Sequence, residues 1–449
     1  MSLPDVPSVE VDPPRPLPLP PLRIGWLFKF FGLVGFATFL SPAFLRIAWM
    51  YYTDKRVRPR LPPHRRVLAT RVSISIFKRP VHPGSPTHRP ARVVSLAQLT
   101  PPRSDVFPPS TQIVRDVRYG PNPRNRLDLY LPRGCAYQGE VVVDAVGASP
   151  RATPDANGDP GGKGRPVIVF VTGGMWIIGY KAWGALLAQT LMSRGFIVAS
   201  LDYRNFPQGT VGDMIQDVGA GIGWVSRRAA SLGGDPSRVF VVGQSAGAHL
   251  AATAMLRQSE WERGDLRRGS SPWSPKSLAG FVGISGVYAP DDGKLVEHFN
   301  TKGLYREVFY SIMEAGFSGS RAEEALPRAS PCAILREQSA TPGLVAEQPP
   351  VLLCHGSADT SAPPSQSADY AATLRSAGAR EVTERYYLGK THTDPFVTDP
   401  ILGGRDELLE DIVAFVRGEG EAFGAGKYPE MPALLPRPLV AIARTMVPF

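Results

Sequence analysis

The run Arg238-Val239-Phe240-Val241-Val242-Gly243-Gln244-Ser245-Ala246-Gly247-Ala248-His249-Leu250 constrains this chain more than any other stretch. It passes from an apolar, β-branched segment through Gly-x-Ser-x-Gly into a small-residue segment of helical character. That is the strand–turn–helix context a nucleophile elbow requires. A serine on such a turn takes a positive φ, and strand and helix must pass closely behind it. Gly243 and Gly247 supply that room. The turn lifts the serine Oγ above the sheet, and the following helix aims its first amides and positive dipole end at the reacting centre. The same residues also suit a glycine-rich βα turn that only packs, so the partners placed around Ser245 decide.

Strands and helices alternate on both sides of that run. Arg126–Leu131 alternates polar and apolar residues, which predicts a half-buried strand, and Val167–Val171 and Phe196–Leu201 read as fully buried strands. Helical patterns cover about Lys181–Ser193, Met214–Leu232 and Ala248–Gln258. A strand is expected at Leu278–Ile284, then a helical insertion from Asp291 to Ser330. Strand Val351–Cys354, helix Ser365–Ser376, strand Val382–Tyr387 and helix Asp406–Arg417 follow. This rhythm predicts an α/β domain whose mostly parallel sheet carries helices on both faces.

An activated serine needs a general base, the base an orienting acid, and the oxyanion a set of donors. In an α/β-hydrolase the chain order is Ser, acid, His. Of the histidines after Ser245, His392 lies in the loop between the last strand and the last helix and fits the base. His249 is one helical turn past the serine and reads as a packing residue, and His355 ends a strand and reads as structural. His298 lies in the insertion and faces substrate on one reading. Asp359, in the loop after strand Val351–Cys354, is the expected acid, with Asp394 as the alternative. Ala246 N–H and the Gly173-Gly174-Met175 loop are the expected oxyanion donors, with Gln244 beside the serine in the same wall. Thr172 stands where esterase His-Gly-Gly-Gly loops begin with histidine, which alters the side-chain support of the loop and not its donors. No cofactor or metal is expected, since Cys135, Cys332 and Cys354 have no metal spacing. Their odd number also argues against a disulfide framework.

The flanks have a different composition. Many of the 46 prolines lie outside the α/β region, and residues 1–23 read as a Pro-rich disordered stretch. Residues 24–52 are apolar and aromatic, uncharged between Lys29 and Arg46, with Trp26 at one end and Trp49-Met50-Tyr51-Tyr52 at the other. The uncharged run is slightly short for a spanning helix and Pro42 would kink it, so an interfacial hairpin and a core helix compete with a membrane anchor. A cleaved signal peptide is not expected, because the run starts late and no small-residue cleavage site follows. Residues 53–113 form a basic, Pro-rich linker. Between Thr53 and Val117 thirteen Lys or Arg stand against three Asp, a difference equal to the whole net charge of +10. Basic residues just after an apolar segment favour the anchor, with the following domain on the cytosolic side. Nothing resembles a nucleic-acid module, so no nucleic-acid partner is expected. The catalytic domain is placed at 114–426, with a surface insertion at 137–165 and a lid at 291–330, and 427–449 form a C-terminal tail. Within the lid, Leu304–Met313 spaces apolar and aromatic residues helically, a stripe that reads as core or, from its place, as the wall of a lipid pocket.

The chain resembles plant-type isoprenylcysteine α-carbonyl methylesterases, members of the α/β-hydrolase superfamily that demethylate prenylated cysteine ends. The resemblance is carried by Thr172–Gly184, Leu201–Gly209, Gly243–His249, Leu295–Phe299 and Thr391–Asp394, and covers roughly Arg118–Phe449 apart from 137–165. It implies an α/β-hydrolase fold and a serine carboxylesterase acting on the methyl ester of a farnesyl or geranylgeranyl cysteine. It also implies an enzyme of the endoplasmic reticulum or Golgi membrane, in contact with lipid. Thr172 is usual in that family, whereas Met175 stands where alanine is expected. Two other readings stay open: a different carboxylesterase or arylformamidase-like hydrolase, since a triad does not reveal the acyl group, and a catalytically silent hydrolase-fold binding protein, against which the presence of His392 speaks.

Overall fold

The strands that read as continuous apolar runs are buried on both faces, and that fixes the layering. The computed structural model describes residues 112–137, 164–264, 273–337, 343–419, 430–431 and 433–434. The Pro-rich stretch 1–23, the apolar segment 24–52, the linker up to residue 111 and nearly all of the 137–165 insertion lie outside the described residues, as does most of the 427–449 tail. Among the described residues no helix is long and apolar enough to cross a membrane.

In chain order the elements are β1 (Gln112–Arg118), β2 (Arg126–Leu131), β3 (Arg165–Val171), α1 (Ala185–Ser193), β4 (Ile197–Leu201), α2 (Val211–Arg228), β5 (Gly234–Gln244), α3 (Ala246–Gly264) and β6 (Gly280–Ile284). Then come α4 (Gly293–Lys302), α5 (Arg306–Ile312), α6 (Ala322–Ala329), α7 (Pro331–Glu337), β7 (Val351–Gly356), α8 (Ser365–Ser376), β8 (Val382–Tyr387), α9 (Asp399–Leu402) and α10 (Glu407–Arg417). The eight strands form one sheet in the order β1-β2-β4-β3-β5-β6-β7-β8. β1–β2 and β2–β4 pair antiparallel, and every other neighbouring pair is parallel. This is the α/β-hydrolase fold.

Side-chain alternation sorts each buried strand between two cores. Val167, Val169 and Val171 of β3 join Val239 and Val241 of β5 in a core shared with α2, α3 and the insertion helices. Ile168, Phe170, Phe240 and Val242 point the other way, against α1 and α10. β2 departs from the half-buried strand its alternation predicts: Leu127–Leu131 are all buried. The strand is flanked by β1 and β4, and its polar residue is paired rather than solvated. Asp128 Oδ1 lies 3.1 Å from the buried Lys181 Nζ and accepts from Asp116 N–H at 2.9 Å. Burial also pushes the thiols of Cys332 and Cys354 up to about 12, so neither is a thiolate nucleophile.

Two helices begin earlier than their hydrophobic patterns suggest. α2 starts at Val211, with Asp213 accepting from Thr210 N–H at 3.2 Å, and α3 starts directly after Ser245. The insertion between β6 and β7 is helical as expected but continues past Ser330 through α7 to Glu337.

Candidate active site

β5 runs to Gln244, α3 begins at Ala246, and Ser245 between them has φ 53°. Its N–H donates to Ile284 O at 2.8 Å, which fastens the turn to the neighbouring strand β6. Gly247 lies where the helix crosses β3, and a Cβ there would sit 2.2 Å from Val171 O. Gly173 faces the serine turn from the other side, where a Cβ would meet Gln244 Oε1 at 2.3 Å and Ser245 Cβ at 2.8 Å. Strand, helix and loop therefore close on Ser245 as tightly as backbone allows.

The loops after β7 and β8 bring the other two groups to it. Ala358 N–H donates to Lys390 O, Ser357 N–H to Tyr387 O and Gly389 N–H to Ser357 Oγ, all at 2.8–2.9 Å. These bonds hold the Asp359 and His392 loops side by side. His392 Nδ1 then lies 2.7 Å from Asp359 Oδ2, and His392 Nε2 lies 3.0 Å from Ser245 Oγ. A carboxylate only accepts, so Nδ1 carries the hydrogen and Nε2 is free to accept from the serine hydroxyl.

Asp359 is buried and fully engaged. Its Oδ1 accepts from Ser361 N–H at 2.8 Å and Ala362 N–H at 3.0 Å. Burial by itself would raise its pKa, but hydrogen bonds from His355 and His392 outweigh that and hold the carboxyl well below the usual carboxylate range. His355, read from sequence as a structural strand end, lies 3.1 Å from Asp359 Oδ2 through Nε2, and its Nδ1 lies 2.7 Å from Ser367 Oγ. The signal for it was a histidine four residues before the acid, at the end of the same strand. Asp394, the alternative acid, accepts from Thr391 N–H at 2.9 Å through its Oδ2 and braces the His392 loop, while His392 Nδ1 meets Asp359.

The expected donors flank Ser245. Gly174, Met175 and Trp176 have φ 123°, 51° and 61°. Gly174 O accepts from Ile177 N–H and Ile178 N–H, both at 2.9 Å, closing the loop on itself. Among the described residues the amides of Gly173, Gly174, Met175 and Ala246 donate to no protein acceptor. Thr172 supports the loop through its backbone, its carbonyl accepting from Tyr203 OH at 2.9 Å, while its own hydroxyl is buried without a protein partner.

The insertion meets the site at His298 and at the loop that carries Trp176. His298 Nε2 lies 3.0 Å from Thr360 O, so the ring engages the backbone of the acid loop. Phe309 and Ile312 are completely buried, Phe309 against Trp176 and Phe299 with ring centroids 5.9 Å and 5.6 Å away. The stripe on Leu304–Met313 is thus core and not a lipid-facing wall, because α5 lies flat on the loop that carries Trp176.

A protein-family model described as BD-FAE matches residues 158–374. A probable isoprenylcysteine alpha-carbonyl methylesterase of Oryza sativa subsp. japonica is 42% identical over 342 residues, covering 76% of this chain and 71% of that protein. The isoprenylcysteine alpha-carbonyl methylesterase of Arabidopsis thaliana is 37% identical over 428 residues, covering 94% of this chain and 77% of its own length. This chain belongs to the isoprenylcysteine α-carbonyl methylesterase family. Like the other members of that family it is a carboxylic ester hydrolase. An esterase of Mycobacterium tuberculosis, LipC, is 30% identical over 222 residues, covering 49% of this chain and 51% of its own.

Proposed function

We propose that this enzyme hydrolyses the methyl ester of a C-terminal farnesyl or geranylgeranyl cysteine, with Ser245 as nucleophile, His392 as base and Asp359 as orienting acid. The observation that carries the reading is the unbroken line from Ser245 Oγ through the imidazole of His392 to Asp359 Oδ2. His392 Nε2 takes the hydroxyl proton as Oγ attacks the ester carbonyl. The amides of Ala246 and the Gly173–Met175 loop receive the negative charge that develops on the carbonyl oxygen. Collapse of the tetrahedral intermediate breaks the C–OCH₃ bond, and His392 returns the proton to the leaving oxygen as methanol departs. Water then repeats the sequence on the acyl-enzyme and releases the prenylcysteine carboxylate. Asp359 holds the imidazole in the required tautomer and stabilises the imidazolium in each half-reaction.

The prenyl group supplies the reason for a membrane site. A tail that partitions into bilayers is best met at a lipid surface, and residues 24–52 followed by the basic linker have the composition of an anchor. In this reading the enzyme works on the cytosolic face of the endoplasmic reticulum or Golgi membrane.

Methanol release from a prenylcysteine methyl ester, measured beside a short-chain ester and an aryl formamide, tests the substrate. A marked preference in kcat/KM for the prenylated ester is expected, and preference for either other substrate overturns it. Ser245→Ala is expected to abolish turnover and labelling by a fluorophosphonate while the protein stays folded.

A further inference from the structure

The loop that faces Ser245 is held in a backbone conformation its residues do not favour. Met175 and Trp176 follow Gly174 with positive φ at all three positions. Residues other than glycine keep such angles only where their surroundings over-determine them. Hydrogen bonds restrain the carbonyls: Thr172 O accepts from the Tyr203 hydroxyl, Gly174 O from Ile177 and Ile178 N–H, and Trp176 O from Phe206 N–H at 2.8 Å. A bond between two side chains joins them. Trp176 Nε1 lies 3.1 Å from His249 Nδ1, with the two rings edge to face at 5.4 Å between centroids.

His249 belongs to the first turns of α3, the helix that starts directly after Ser245, and its N–H donates to Ser245 O at 3.2 Å. Its bond to Trp176 therefore references the loop to the backbone of the serine itself. Its other nitrogen, Nε2, lies 2.7 Å from Ala329 O at the end of α6. An indole N–H can only donate and a carbonyl can only accept, so both bonds are satisfied together by a neutral imidazole with its hydrogen on Nε2. Both side chains are buried, which shields the bonds from competing water. Burial also presses the His249 pKa down to about 4, so the neutral form with a free Nδ1 acceptor persists.

We propose that His249 is a positioning residue for ester hydrolysis: acting through the indole of Trp176, it keeps the amide donors of the Gly173–Met175 loop in register with Ser245. The inference rests on the reading of Ser245 and that loop given under Proposed function. It touches neither substrate nor reacting atoms, and its effect falls on the charged intermediate rather than on substrate binding.

The test uses the full-length chain with a short-chain ester and an alkyl trifluoromethyl ketone, which adds to the serine to give an oxyanion. Trp176→Phe keeps an aromatic ring and removes the donor, and His249→Leu removes the acceptor. Each is expected to lower kcat and trifluoromethyl ketone affinity in parallel, by roughly tenfold to a hundredfold, as expected when catalytic groups are misplaced by a fraction of an ångström to an ångström. KM is expected to change less than about threefold, since ground-state binding does not use these amides. The double variant is expected to be no worse than either single one, because both break the same bond. His249→Asn places a carbonyl oxygen near the position of Nδ1 and is expected to recover most of the activity. If folded Trp176→Phe keeps both kcat and ketone affinity within about twofold of the parent, the proposal is overturned. Turnover or labelling that survives in Ser245→Ala is a different failure, of the site reading itself.

Discussion

Asp359 Oδ2 is shared by two imidazoles, and that decides what a single-atom change there does. In Asp359→Asn the amide can keep one oxygen on the Ser361 and Ala362 N–H groups, but its NH₂ then faces His392 Nδ1 and His355 Nε2, both donors. His392 is forced toward the wrong tautomer, and kcat is expected to fall roughly 10³–10⁴-fold. Asp394→Asn can still present an oxygen to Thr391 N–H, so a loss of no more than about tenfold is expected. Steady-state kinetics on the two variants checks this, and reversed severities would move the orienting role to Asp394. His249 makes a prediction about stability. Its folded pKa of about 4 lies below the ordinary histidine value of 6.5, because burial disfavours the charged form. Between those values the unfolded chain binds the proton and the folded one does not, so stability falls as pH drops from about 6.5 to about 4, by about 3 kcal/mol in all. Asp359, depressed in the folded state, adds a further loss at still lower pH. Denaturant midpoints measured across this window are expected to show a flatter slope in His249→Asn, and an unchanged slope would assign the acid sensitivity elsewhere.

At the scale of elements, the insertion α4–α7 packs on the loop that faces Ser245. Phe309 and Phe299 pack their rings on Trp176, which in turn is bonded to α3 through His249. Outside this stack, Glu314 accepts from Gly212 N–H at 3.1 Å and from Thr210 Oγ, so the insertion also caps the start of α2. Phe309→Asp would place a carboxylate where no exposure remains. It is expected to cost more than about 3 kcal/mol of stability and to reduce turnover of prenylated and short-chain esters alike. Thermal denaturation beside kinetics on the two substrates checks this; a folded variant that lost only prenylated turnover would restore the lipid-pocket reading of α5.

At the scale of the whole molecule, the hydrolase domain closes on itself from β1 onward. The sheet edge is fixed by β1 pairing with β2, and Lys181 Nζ joins Asp116 of β1 and Asp128 of β2 at 3.0 Å and 3.1 Å. At the far end Met431 bridges to Gly404, and Leu434 N–H donates to Ile401 O at 2.9 Å, so that much of the C-terminal tail is part of the domain. A chain starting shortly before Gln112 therefore keeps every strand, whereas one starting at Val114 loses the first β1 pairs. The longer of these is expected to hydrolyse a short-chain ester at the full-length rate and to stay in the supernatant when anionic phospholipid vesicles are sedimented. The full chain is expected to pellet with them. Equal partitioning would remove the membrane role proposed for residues 24–52.

Sequence alone determined the elements that rest on local rules. Strands β3 and β7, helix α8 and strand β8 fall where apolar runs and turn residues put them, and Gly-x-Ser-x-Gly placed Ser245 because few backbones tolerate a positive φ with so little room. Chain order then singled out Asp359 and His392, since the loops after successive parallel strands open on the same edge of the sheet. Tertiary structure decided what depends on contacts between distant segments. β2 is buried because β1 and β4 flank it, and Asp128 is tolerated there through an ion pair with Lys181, more than fifty residues away, which no alternation pattern contains. The fate of the Leu304–Met313 stripe turned on which surface α5 lay against, because an apolar helix face looks the same whether it covers Trp176 or a lipid. The partners of His249 and His355 were hidden for the same reason: an imidazole's role is set by the groups that fill its two nitrogens, and the fold supplies those from Trp176, Ala329, Asp359 and Ser367.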